Sequence, residues 1–378
     1  MTDLTINLAR AITLLQPARV EVGAGTAARL GPWAAAYKRV FVLTAPTTAP
    51  FADRLGLTGE VEIFQDVPAE PDMPALELAL AAARAFKPDL VVGLGGGSIM
   101  DVAKLVAVLW DTEKKLLDVV GVGRIDGRRT ALAQVATTSG TGSEAGTRAL
   151  ITDPATLAKH ATESIHMLAD IAILDPELTY SVPPAVTAAT GIDALAHCVE
   201  AFTSLKAHPL VDDYARMGIA LVGRYLARAV ADGEDTEARG GMMLASYYGG
   251  LCLGPVNTAG GHALAYPLGT RLKLPHGLAN AIVFPHVLAF NVPACEGKTG
   301  EILSLLGLGG ASGTQEIFSA AYGFCRNLGV EMRLSAHGAS RSDLPAWALE
   351  AHAIRRLLDN NPRPLSPEDI SDIYEAAY

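Results

Sequence analysis

The chain has 378 residues, half of them apolar and 19% charged, with a formal net charge of −10. This length exceeds what one hydrophobic core serves, so two domains are expected, and the acidic balance disfavours non-specific binding to nucleic acid or an anionic membrane. No uninterrupted apolar run reaches the roughly 20 residues of a membrane-spanning helix, and the start of the chain shows no basic-then-apolar leader pattern. A cytoplasmic protein with small-molecule partners is expected. Cys198, Cys252, Cys295 and Cys325 are scattered without CxxC pairing, which reads as reduced thiols rather than a disulfide framework.

In chain order, the β-branched and aromatic run at 39–44 predicts a buried strand. The Ala- and Leu-rich stretch at 73–87 predicts a helix, and the apolar run at 89–94 a second strand. That strand leads into Gly95, Gly96, Gly97 and Ser98, after which 99–109 reads as helix. A further apolar piece at 131–135 precedes a hydroxyl-rich loop at 137–144, and another at 171–174 ends at Asp175 and Pro176. This alternation predicts an α/β domain with a doubly wound, mostly parallel sheet. Beyond Val182, Pro183 and Pro184 the Ala- and Leu-rich segments predict an all-α domain, so the division falls at 1–182 and 183–378.

A strand, a glycine run and a helix make a phosphate cradle: glycine lets backbone approach closely, and helix N-terminal amides supply donors and positive dipole. The alternative is a tight turn capped by Ser98, with Asp101 in the first turn. The loop from Thr137 to Glu144 offers hydroxyls that suit a nucleotide's ring or ribose, or else forms an ordinary Ser/Thr-rich turn.

Asp193 and His197 are spaced i, i+4, so both face one side of a helix and can reach one ion. His262 and His276 are separated by Pro267, Gly269 and Pro275, which predicts that they come from separate short elements joined only by the fold. One carboxylate and three imidazoles suit Fe²⁺, Zn²⁺ or Mn²⁺. Cys198 points about 100° away from His197 on the same helix, and His160, His166, His208, His286, His337 and His352 read as structural.

Four motifs in order, Gly95 to Lys104, Thr137 to Glu144, Thr190 to His197, and Pro275-His276-Gly277, resemble the iron-containing (group III) alcohol dehydrogenase family. The resemblance implies a nucleotide-binding N-terminal domain, a helical C-terminal domain and a cleft holding NAD or NADP and a divalent metal, Fe²⁺ foremost. It carries the metal-ligand role to Asp193, His197, His262 and His276. It places pyrophosphate contacts on Gly96, Gly97 and Ser98, and the rest of the cofactor site on Thr137, Thr138, Thr141, Lys159 and Leu178. A homo-oligomer, specifically a dimer, is expected.

Some positions depart from the family pattern. Tyr266 stands where many members carry a second histidine that could relay a proton. Thr44, Ala45 and Pro46 lack the aspartate that favours NAD, which leaves NADP open. Glu70 occupies a position often held by asparagine. Arg271 and Lys273, if they face the cleft, suit an anionic substrate; otherwise they are solvated surface cations. The expected function is metal-dependent NAD(P) oxidoreduction between a small alcohol and its aldehyde or ketone. The alternatives are maleylacetate reductase, a dehydroquinate synthase-like lyase, and a non-catalytic cofactor-binding protein.

Overall fold

Runs such as Leu90–Gly95 and Ile171–Leu174 are buried along their whole length, so both faces of each strand need cover, which a parallel sheet flanked by helices provides. The computed structural model describes residues 10–156 and 158–378. Its described residues fall into two compact units, Leu15–Ser181 and Val182–Tyr378, with residues 10–14 grouped with the second.

The main sheet of the first unit contains β1 (Arg19–Val22), β2 (Arg39–Leu43), β3 (Glu60–Phe64), β4 (Leu90–Gly95), β6 (Ala131–Ala136) and β9 (Ile171–Leu174). All pair in parallel, in the order β1-β9-β6-β4-β2-β3. A small sheet of β5 (Gly121–Val122), β8 (Lys159–Glu163) and β7 (Arg148–Thr152) lies apart from it in the pairing, with β7 antiparallel to β8. The helices are α1 (Leu30–Ala34), α2 (Met73–Phe86), α3 (Gly97–Leu109) and α4 (Leu116–Val119). The start of α2 is set by Asp72, whose side chain accepts from the Ala75 amide at 3.0 Å, and its end by Lys87 in the left-handed region. It buries Leu76, Leu80 and Ala83, a stripe of helical period.

From β2 the chain runs outward to β3 and then returns to β4 on the other side, so the order of the sheet reverses between β2 and β4. The crevice at the carboxyl ends of strands at such a switch point is where open α/β sheets bind ligands. The glycine run leaves β4 at this place.

The predicted strands and helices all form, with ends shifted by a residue or two. Strands β1, β3, β5, β7 and β8 are additional. Strand β3 reads Glu-Val-Glu-Ile-Phe at the sheet edge with most side chains exposed, and such a strand carries little of the apolar signal of a central one.

The second unit is helical: α5 (Pro184–Thr203), α6 (Pro209–Ala231), α7 (Thr236–Leu253), α8 (Gly260–Leu272), α9 (His276–Leu305), α10 (Gly313–Asn327), α11 (Leu344–His352), α12 (Arg355–Leu358) and α13 (Pro367–Ala376). Helix α5 is buried almost all round from Thr187 to Thr203, which makes it central. Helix α9 is long and apolar enough to cross a bilayer, but 72% of its most apolar stretch is buried inside the protein, as a core helix is. Pro267 and Gly269 do not interrupt the segment as predicted. Helix α8 continues through both to Leu272, and the break falls at Lys273 (φ 53°) and Pro275. His276 therefore opens a long helix, which runs on to a kink at Cys295 (φ −149°, ψ 40°), rather than a short element.

Candidate functional site

Asp193 and His197 lie one turn apart on α5, His262 is in the first turn of α8, and His276 begins α9. The ligand atoms of Asp193, His262 and His276 all lie within 4.8 Å of one another. Asp193 Oδ1 is 3.5 Å from His262 Nε2, 3.8 Å from His276 Nε2 and 3.9 Å from His197 Nε2. His197 stands just outside the tight group of three and stacks on His262, with ring centroids 4.7 Å apart. Only His276, with 21% of its side chain accessible, reaches solvent to any extent.

Two further residues hold these ligands. Glu200 Oε1 lies 2.8 Å from His262 Nδ1 and also accepts from the His262 amide at 3.2 Å, while its other oxygen accepts from the Ala259 amide. A Cβ at Gly261 would stand 2.5 Å from Glu200 Oε1, so only glycine allows this approach. Asn280 Nδ2 donates to Asp193 Oδ1 at 2.7 Å and is 3.2 Å from His276 Nε2. Sequence reading missed both residues, although the signal existed: Glu200 continues the Asp193 and His197 face at i+7, and Asn280 follows His276 at i+4.

The electrostatics call for a cation. Burial opposes ionisation of Asp193, but His197, His276 and His262 outweigh it and hold the carboxyl far below its usual range. Burial likewise opposes a charge on His262, and Glu200 and Asp193 overcome it, lifting the imidazole to about 10. His262 Nε2 is buried and has no hydrogen-bond partner among the described residues, while Nδ1 is engaged by a carboxylate. A metal-binding histidine shows this pattern, with one ring nitrogen oriented by an acid and the other presented to the ion. The residues therefore fit a divalent metal. Glu200→Gln is expected to weaken metal affinity about 10- to 100-fold, read by competition with a chelator; unchanged affinity would remove Glu200 from this role. Cys198 Sγ faces the Ala245 carbonyl 4.0 Å away, and burial pushes its thiol up to about 12.

In the first unit, α3 begins at Gly97 with Gly96 as its N-cap, so Ser98 is not the cap and Asp101 lies past the first turn. Ser98 Oγ instead accepts from the Glu70 amide at 3.1 Å. Glu70, in the left-handed region at φ 52°, also pairs with Lys159, which explains the acidic residue there and brings Lys159 beside the cradle. The two polar loops meet closely. A Cβ on Gly96 would lie 3.0 Å from Thr138 Oγ1, and one on Gly97 2.6 Å from Thr141 Cγ2. Thr137 is buried and its amide donates to the Gly95 carbonyl at 3.0 Å. The Leu178 side chain is fully buried in the apolar core that includes Leu94 and Ile173, which leaves only its backbone to meet a nucleotide.

A buried network fixes the second loop to α3. Lys104 Nζ donates to Ser143 Oγ and to the Arg148 carbonyl, both at 2.7 Å, and Ser143 Oγ donates to Asp101 Oδ1 at 2.6 Å. Next to Ser143, burial pushes the Glu144 carboxyl up to about 7, against a backbone hydrogen bond and Lys104 that pull it down. The folded state thus keeps a proton that the unfolded chain, with an ordinary value of 4.5, releases. Stability from this group is full below pH 4.5 and is lost as pH rises towards 7, by about 3 kcal/mol at most. Glu144→Gln is expected to flatten that slope in denaturant titrations at pH 5 and pH 8; an unchanged slope would contradict the assignment.

Around the metal residues, the Tyr266 ring lies 5.8 Å from that of His276, and Arg356 Nη2 donates to the Tyr266 hydroxyl at 3.3 Å. Arg271 makes a two-pronged pair with Glu350, at 2.7 and 3.1 Å, on the exposed surface. It is a paired surface cation, the second of the two readings its position allowed.

Comparison with known proteins bears directly on this arrangement. The family description "Iron-containing alcohol dehydrogenase" matches residues 17–176, and "Fe-containing alcohol dehydrogenase family, C-terminal" matches 187–378. The chain belongs to the iron-containing alcohol dehydrogenase family. It is 40% identical to long-chain-alcohol dehydrogenase 1 of Geobacillus thermodenitrificans over 332 residues, which span 84% of this chain and 82% of that one. It is 33% identical to the sulfoacetaldehyde reductase of Bilophila wadsworthia, over 90% and 92% of the two chains. Among solved structures, a 1,3-propanediol oxidoreductase superposes with a TM-score of 0.93 at 30% identity, covering 98% of this chain and all of that one. A sulfoacetaldehyde reductase from Bifidobacterium kashiwanohense, solved with NAD⁺, gives a TM-score of 0.89 at 28% identity over 97% and 99% of the chains.

Proposed function

We infer that the chain is a metal-dependent NAD(P) oxidoreductase that interconverts a small alcohol with its aldehyde or ketone. The observation that carries this reading is the buried group of Asp193, His262 and His276, with His197 stacked against it and Glu200 orienting His262. Asp193, His197, His262 and His276 would hold one divalent cation; the family description supports Fe²⁺, and the mixed nitrogen and oxygen set also suits Zn²⁺ or Mn²⁺. When bound, the cation supplies Lewis acidity to a carbonyl or alkoxide oxygen, and the nicotinamide supplies or takes the hydride.

The chain's own residues perform the remaining tasks. Amides at the start of α3 would bind the pyrophosphate with Gly96, Gly97 and Ser98, and Thr137, Thr138, Thr141 and Lys159 would line the nucleotide beside it. The relative solved with NAD⁺ supports NAD, and the uncharged Thr44-Ala45-Pro46 turn admits NADP as well. Tyr266 is the proposed proton carrier: its ring adjoins His276, and its hydroxyl accepts a hydrogen bond from Arg356. We place the enzyme in the cytoplasm as a dimer.

The relatives' names favour net alcohol chemistry over maleylacetate reductase or a lyase. The deciding experiment supplies anaerobically Fe²⁺-loaded enzyme with a panel of small aldehydes and ketones, using NADH and NADPH in parallel. Loss of reduced-nicotinamide absorbance with at least one aldehyde is expected. Turnover without a net absorbance change would indicate a lyase and overturn the reading.

A further inference from the structure

Arg356 differs from the other arginines near the metal residues. Arg355 pairs with Asp359, and Arg271 with Glu350. Arg356 is exposed and, among the described residues, has no carboxylate within ion-pair distance; its side chain donates to the Tyr266 hydroxyl instead. It sits over the Tyr266 ring, 5.5 Å from the centroid, and that ring lies 5.8 Å from the ring of His276. His276 is in turn the most accessible of the three imidazoles that surround Asp193. A guanidinium thus stands one aromatic ring away from His276, one of the residues that would hold the metal.

We propose that Arg356, seated on Tyr266, is the anchor for an anionic group on the substrate, so that the enzyme acts on short aldehydes carrying a sulfonate or carboxylate. The inference rests on the metal-dependent aldehyde chemistry proposed above. Guanidinium presents a planar fork of donors that fits carboxylate and sulfonate oxygens, and stacking on an aromatic face orients that fork before the ligand arrives. The tyrosine in place of a second histidine then has a specific consequence: its broad ring gives the guanidinium a seat, and its hydroxyl fixes the guanidinium's rotation. Lys273 caps the end of α8 in the left-handed region, and among the described residues no aromatic ring seats its ammonium.

The test compares sulfoacetaldehyde and succinic semialdehyde with acetaldehyde and butanal on metal-loaded parent, Arg356→Met and Arg356→Lys enzymes. In the parent, kcat/KM is expected to favour the anionic aldehydes. Arg356→Met should lower the anionic-to-neutral ratio about 10- to 100-fold, mainly through KM, and Arg356→Lys should restore part of it. Calorimetric binding of the unreactive anions ethanesulfonate and butanoate gives a readout independent of turnover, and should weaken in Arg356→Met by a similar factor. A ratio and an anion affinity that stay the same in both variants would overturn the proposal. Failure of the parent to reduce any aldehyde, charged or neutral, would instead remove the function proposed above, while the anion titration would still decide the role of Arg356.

Discussion

Purified His262→Ala protein is expected to lose nearly all bound divalent metal, and aldehyde reduction is expected to fall about 100-fold or more. His262 is oriented on one side and presented on the other: its Nδ1 faces Glu200 at 2.8 Å and its Nε2 lies 3.5 Å from Asp193. Removing it leaves two buried carboxylates short of a neutralising partner, so any cation left in the site is held by fewer and less ordered ligands. The fold has reason to survive. Glu200 keeps the amides of Ala259 and residue 262, and α8 keeps its packing through Leu264 and Leu268. Nucleotide binding is expected to persist, because the glycine cradle belongs to the Leu15–Ser181 unit. Elemental analysis and nucleotide titration of parent and variant check both halves. Equal metal content would contradict the ligand assignment.

Gly97→Val is expected to produce the converse result, with metal content retained and dinucleotide affinity reduced about 100-fold, a loss of about 3 kcal/mol. A Cβ at this position would lie 2.6 Å from Thr141 Cγ2 and 2.7 Å from its Oγ1. Threonine is β-branched and stiff at χ1, so it does not swing aside cheaply. Either the Thr137 to Glu144 loop moves or the first turn of α3 does, and the amides that would face the pyrophosphate move with it. Reducing both sides of the contact should restore space: Gly97→Ala combined with Thr141→Ala is expected to bind better than Gly97→Ala alone. Unchanged affinity in Gly97→Val would argue against the cradle.

Much of this was legible from residue pattern. Buried parallel strands announce themselves because both faces must be apolar, and a glycine run between such a strand and a helix is a local signal. The i, i+4 pair on α5 is local too. Readings that depended on partners distant in sequence fared differently. Glu200 looks like any helical glutamate until α8 is placed against it, and Glu70 shows its purpose only when β8 delivers Lys159. Pro267 lies inside α8 against its local signal, because proline's cost inside a helix is local, whereas the packing that offsets it, with Leu264, Leu268 and Ile282 in one core, is tertiary. Arg271 and Arg356 are alike as letters. Glu350 and Tyr266 distinguish them, and neither is their neighbour in sequence.

The central claim is that one divalent ion, held by Asp193, His197, His262 and His276, is required for turnover. The most direct measurement strips the protein with a chelator and titrates Fe²⁺, Zn²⁺ or Mn²⁺ back under anaerobic conditions while following aldehyde-dependent oxidation of NADH. The account predicts no turnover in the stripped protein and full recovery at one equivalent of the productive metal per chain. Turnover at the parent rate by metal-free protein would contradict it.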